Sequence, residues 1–185
     1  MTLPEIYESQ FNEAVLNEKH LPEIDYFIHI LLRGEVKYQK VANILNNGIH
    51  WWFIGIIHVM EGGGKFTKHL HNGDSLNART INVPKGRPKQ GHPPFTWEES
   101  ALDALRYTKL DKVTDWSIGN CLDLFEKYNG LGYRKKGVPS PYLWSFTNFY
   151  EKGKYVKDGK YDPEAVSKQP GCAAILLRMK SKKLI

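Results

Sequence analysis

The sequence predicts a mainly α-helical fold with one small β-hairpin element, organised as a single domain over residues 1–185. Three observations predict it. Apolar residues recur at helical spacing along most of the chain. One stretch, Trp51 to Met60, is apolar nearly all round, which a helix tolerates only when buried, so it belongs at the centre of the fold. The one long stretch without helical pattern, Lys65 to Phe95, carries Asn72-Gly73-Asp74, Val83-Pro84 and Pro93-Pro94. Those are turn signals, and they predict a hairpin followed by an irregular excursion.

The elements follow in order. Ile6, Tyr7, Phe11, Ala14 and Val15 place a helix over Leu3 to Asn17. A second helix begins near Pro22, a residue suited to a first turn, and carries Ile24, Phe27, Ile28, Leu31 and Leu32. Gly34 interrupts it before a third stretch, Val36 to Leu45, which Asn46-Asn47-Gly48 stops. The central apolar helix ends at Glu61, where Gly62-Gly63-Gly64 lets the chain turn. Thr96-Trp97-Glu98-Glu99 has the form of a capping box opening the next helix. Further helices are expected over Asp115 to Tyr128, Pro141 to Tyr150, from Asp162-Pro163, and over Gly171 to Lys180. The last carries basic residues at its C-terminal end, where the helix dipole favours them.

Composition narrows the function. Aromatic residues make up 12% of the chain, which excludes disorder as its main state. With 41% hydrophobic and 25% charged residues, the balance is that of a soluble globular protein. No apolar run approaches the roughly 20 residues that span a bilayer. Two cysteines, Cys121 and Cys172, do not make a disulfide scaffold and are expected as buried free thiols. A net charge of +6 points to an anionic partner, whether nucleic acid, a membrane surface or an acidic wall polymer. The lysines are dispersed rather than gathered with arginine on one face, unlike a phosphate-tracking surface. The opening Met1-Thr2-Leu3-Pro4-Glu5 has no secretory pattern.

Several residues could carry chemistry. Glu61 sits where a buried helix meets a glycine turn; desolvation there favours the protonated acid needed to protonate a glycosidic oxygen. Asp74, thirteen residues on, could hold or activate a water, or simply belong to a turn. His58, His69 and His71 suggest a zinc site as a rival, although no complete zinc motif is present. Tyr128-Asn129-Gly130 stops a helix and could also present Tyr128 and Asn129 to a substrate. The aromatic run from Pro141 to Tyr150, with Tyr142 and Trp144, suits a saccharide groove as well as a core.

Together these stretches resemble the lysozyme-like superfamily of peptidoglycan-cleaving glycoside hydrolases, in particular the small muramidase-type lysins encoded by phages and prophage-bearing bacteria. The resemblance rests on Trp51 to Glu61, His69 to Asp74, Phe95 to Ser100, Tyr128 to Tyr133 and Ser140 to Ser145. It covers residues 48–185, with residues 1–47 expected as helices packed on that region. It implies a lysozyme-like α+β fold and Glu61 as general acid at the end of the central helix. Asp74 is then the water-handling carboxylate, while His71, Tyr128, Asn129, Tyr142 and Trp144 bind sugar or orient Glu61. The glycines after Glu61 stand where many relatives carry serine, and the Gly-Leu-Met-Gln motif of transglycosylases is absent.

The expected activity is cleavage of the β-1,4 bond between N-acetylmuramic acid and N-acetylglucosamine. The expected partner is bacterial peptidoglycan, not nucleic acid or membrane, with the chain monomeric and needing no metal or organic cofactor. Such a lysin would wait in the host cytoplasm until released to the wall. The alternatives are a lytic transglycosylase, a chitinase-like glycosidase, a zinc peptidase or amidase, and a non-catalytic module that binds glycan or nucleic acid.

Overall fold

Nine α-helices and one two-stranded antiparallel sheet make up the chain in the computed structural model, which describes residues 1–185. The helices are α1 (Leu3–Glu13), α2 (Leu21–Arg33), α3 (Glu35–Leu45), α4 (Trp51–Gly62), α5 (Trp97–Tyr107), α6 (Ile118–Asn129), α7 (Gly132–Lys136), α8 (Pro141–Trp144) and α9 (Cys172–Ser181). The strands are β1 (Lys154–Lys157) and β2 (Lys160–Asp162). This is the expected mainly α class with a small β element. No helix is long and apolar enough to cross a membrane.

The chain, expected as one domain, groups into two compact units. The first joins Met1–Ile28 to Ser117–Ile185, and the second is His29–Trp116. The boundary between residues 28 and 29 falls inside α2.

In the second unit, α3 packs on α4 and on α5. The apolar prediction for α4 holds: Trp52 through Val59 are all buried. Each of Phe53, Ile54, Ile56 and Ile57, fully out of water, contributes about 1.5–3 kcal/mol by burial. Tyr38 of α3 is also fully buried, and its hydroxyl meets His58 Nδ1 at 2.8 Å. The capping box forms as expected: the Glu99 amide donates to Thr96 Oγ1 at 3.2 Å, and the Thr96 amide donates to Glu99 Oε2 at 2.8 Å.

In the first unit, α1 lies along α6. A second capping box, Thr2 with Glu5, opens α1, which ends at Glu13 rather than Asn17. Gly119 of α6 faces the Pro4 carbonyl so closely that any side chain would collide with it. The Gly119 amide donates to the Glu8 carboxylate. Both cysteines are buried free thiols, as expected.

Four expectations are corrected. The hairpin lies at β1–β2, not within Lys65 to Phe95, where only an isolated bridge pairs Lys68 with Ser75. The β1–β2 turn is Asp158-Gly159, with Gly159 at φ 71°, a strong hairpin dipeptide between Tyr155-Val156 and Tyr161. α8 stops after Trp144 because Ser145 turns to ψ 138°, outside helical geometry, and Phe146 follows at φ 68°. No helix follows Pro163: the Asp162 carboxylate accepts from the Glu164 amide at 2.9 Å, a local turn that competes with helix formation. α6 starts at Ile118 rather than Asp115.

Candidate functional site

Glu61 is the penultimate residue of α4 and is half-buried. Gly63 then turns the chain in the left-handed region, φ 61°. The loop from His69 to Ser75 folds back onto this helix end. At Gly73, φ 79°, an added Cβ would lie 2.6 Å from the Glu61 carbonyl oxygen, so only glycine permits this approach. The loop is tied to itself. The His69 amide donates to the Asp74 carbonyl at 2.6 Å, and the Gly73 amide donates to the His69 carbonyl at 2.9 Å.

Asp74 anchors the start of the irregular excursion. Its Oδ2 accepts from the amides of Ile81 at 2.9 Å and Asn82 at 3.0 Å, and from Asn72 Nδ2 at 3.1 Å. Its Oδ1 accepts from Asn82 Nδ2 at 2.7 Å. Burial alone pushes this carboxyl up; the donors from Asn82, Ile81 and Asn72 together outweigh it and hold it below the ordinary carboxylate value. Asp74 is therefore an anion at neutral pH. The turn reading and the catalytic reading of this residue meet here: it is the residue on which the excursion closes.

The excursion is pinned on α5. The Arg87 guanidinium donates to both oxygens of Asp103, at 2.9 and 2.8 Å. Asp103 also meets His71 Nε2 at 2.8 Å. The His71 side chain has 0% exposure. Burial pushes its imidazole below the ordinary value against the opposing pull of Asp103.

The other histidines are also internal. His69 meets Ser100 Oγ at 2.8 Å through Nδ1 and the Ala78 carbonyl at 2.8 Å through Nε2. His58 meets Tyr38 through Nδ1 and the Lys65 carbonyl at 3.2 Å through Nε2. Burial pushes His58 down to about 4. The three imidazoles are engaged by protein groups, those of His69 and His71 both at Ser100 Oγ, at 2.8 and 3.5 Å, and no group of three or more His, Cys, Asp or Glu is placed to hold a metal ion.

The remaining expected site residues belong to the first unit. Tyr128, half-buried, and Asn129, exposed, end α6. Asn129 and Tyr142 share a cavity of about 350 Å³ with Tyr133, Lys154, Lys168 and Gln169. Trp144 does not join them. It is 3% exposed, packs edge-on to Tyr7 with centroids 6.1 Å apart, and borders a separate cavity of about 300 Å³. Sequence reasoning missed the ionic cluster beside that cavity. Glu126 Oε2 accepts from the Tyr7 hydroxyl at 2.5 Å and from Arg134 Nε at 2.8 Å. Arg134 Nη2 also donates to Asp123 at 2.5 Å. The signal was Asp123 and Glu126 on the otherwise apolar face of an amphipathic helix.

Compared with known proteins, the chain matches no family model, no curated protein and no solved structure.

Proposed function

We propose that the chain is a peptidoglycan-cleaving glycoside hydrolase of muramidase type, with Glu61 as general acid. The observation that carries this reading is the end of α4. A half-buried carboxyl ends a helix that is buried from Trp52 to Val59, and the Asp74 loop folds onto its carbonyl through a glycine that tolerates no side chain. In this reading Glu61 delivers the proton to the glycosidic oxygen. Asp74, kept anionic by its amide donors, supplies the contrasting second carboxylate. Its Oδ1 accepts one bond from Asn82, which leaves a lone pair for a water.

Within the first unit, Asn129 and Tyr142 line a cavity that suits a sugar, and Trp144 contributes packing. The positive charge, +6, draws the chain to an anionic wall, an attraction that salt weakens. The chain acts as a monomer on peptidoglycan and reaches the wall from the host cytoplasm.

One observation favours a second reading. Asp74 already accepts from four donors, and a lytic transglycosylase needs only the acid. Mass spectrometry of borohydride-reduced muropeptides separates the two. New reducible muramic acid ends establish the hydrolase, and anhydro ends establish the transglycosylase. Glu61→Gln, with unchanged circular dichroism, is expected to abolish either product. Full activity in that variant removes the mechanism.

A further inference from the structure

The cavity beside Asn129 and Tyr142 has an unusual charge. Lys154 and Lys168 line it, and no carboxylate does. Two other lysines of the same unit meet acids: Lys127 reaches Asp123 at 2.5 Å, and Lys152 reaches Glu164 at 2.7 Å. Lys154 has Asp162 as its register partner across the hairpin. Asp162 instead accepts from the Glu164 amide, while the lysine lines the cavity.

Both lysines are held by fastened backbone. Gly153, φ 98°, directly precedes Lys154, and its amide donates to the Ala165 carbonyl at 2.7 Å. The Tyr155 amide, on the other side, donates to Tyr133 Oη at 3.0 Å. Lys168 comes after Ser167, whose amide donates to Tyr150 Oη at 3.1 Å and whose hydroxyl donates to the Gln169 carbonyl at 3.2 Å. The chain thus places two cations against a cavity of about 350 Å³ that also offers the Asn129 and Gln169 amides. Two ammonium groups without an acid between them are satisfied by an anionic ligand group.

We infer that this cavity is a carboxylate subsite, in which Lys154 and Lys168 bind an acid group carried by the wall glycan. The assignment of the carboxylate to that polymer rests on the proposed peptidoglycan-cleaving function. Two sources bear the same chemistry: the lactyl ether of N-acetylmuramic acid and the peptide attached to it. Chitin bears neither, so the subsite makes the chain selective for muramic-acid-containing glycan.

The test is binding to the full-length Glu61→Gln chain, measured by calorimetry at low and high salt. The probes are N-acetylmuramic acid, N-acetylmuramyl dipeptide and neutral chitobiose. A carboxylate probe is expected to bind more tightly than chitobiose, and salt is expected to weaken that binding. The tighter of the two acids identifies the source. Replacing both lysines with alanine is expected to weaken the acid probes about tenfold or more, with chitobiose unchanged. Replacing both with arginine is expected to keep the preference, which separates charge from a folding defect. Equal binding of chitobiose, indifference to the alanine substitutions, or no binding of either acid at millimolar concentration overturns the subsite. Lysine-dependent binding without wall cleavage by the unmodified chain keeps the subsite and removes the enzyme reading. Cleavage with lysine-independent binding does the reverse.

Discussion

Asp74, half-buried, and Glu126, buried, are acids fixed by hydrogen bonds, one in each unit, and their partners differ in kind. Glu126, 2% exposed, is held by Arg134 and the Tyr7 hydroxyl. Asp74 is held by neutral amides from a loop. The first arrangement fixes one helix pair by charge, because α1 supplies Tyr7 and α6 supplies Glu126. The second turns an irregular segment into a defined one, because backbone amides at Ile81 and Asn82 close onto a single side chain. A charge cluster fails when its one shared cation is lost. An amide cage fails locally, at the loop it closes.

Arg134→Ala is the strongest way to break the comparison. It leaves Asp123 and Glu126, with side chains 6% and 3% exposed, without their fork. Stripping one partner from such a buried cluster costs about 3–5 kcal/mol. Thermal unfolding reads this directly, and a shift of a degree or less would show that the cluster is solvated.

Asp74→Ala ranks next. It removes the acceptor of the Ile81 and Asn82 amides, which belong to exposed residues, at about 0.5–1.5 kcal/mol for each bond lost. Hydrogen exchange should show faster loss at those two amides while α6 stays protected; uniform exchange across both units would contradict local failure. Gly73→Ala costs about 1–2 kcal/mol through its positive φ and its collision with the Glu61 carbonyl. It should lower muropeptide release by more than its melting shift alone explains.

The pH dependence sharpens the same contrast. The His58 value in the folded protein is depressed from 6.5 to about 4 by burial. Between those values the unfolded chain binds a proton that the native state refuses, so stability falls as pH drops. The Asp74 contribution is present above the ordinary value of 3.8 and is lost only as pH falls through its lowered folded value. Urea midpoints should therefore decline between about pH 6.5 and 5 in both the native chain and Asp74→Asn. Only below that range should the two curves converge. Thr96→Ala is the smallest change, about 1 kcal/mol from the lost cap, visible as faster exchange in the first turn of α5.

Much of this was legible in residue spacing. The capping box at Thr96, the buried run of α4, the break at Gly34 and the stop at Asn129-Gly130 are local signals, and tertiary contacts did not override them. The hairpin was misplaced because Asn72-Gly73-Asp74 and Asp158-Gly159 are both turn sequences. Only the second is flanked by residues that pair as a two-strand ladder; the first is flanked by a single bridge, Lys68 with Ser75. The first captures its own neighbours through Asp74 and Asn72. The burial of His71 was not legible, because it depends on Asp103, 32 residues away. The distant ring of partners around Glu126 escaped for the same reason: Tyr7 is 119 residues from it.

That separation bears on how the chain is made. The second unit is one continuous stretch, His29–Trp116, whereas the first is assembled from both sides of it. During synthesis α1 emerges early, with Tyr7 and Phe11 lacking the surface that later buries them. It waits until α6 has been translated more than a hundred residues on, which is the interval between Glu8 and Gly119. Contacts between distant stretches form slowly because loop closure precedes any gain from them. The middle of the chain therefore has the opportunity to fold first on the ribosome, and the two ends join last. The opening helix spends that interval with its apolar face, Tyr7 and Phe11, in need of cover.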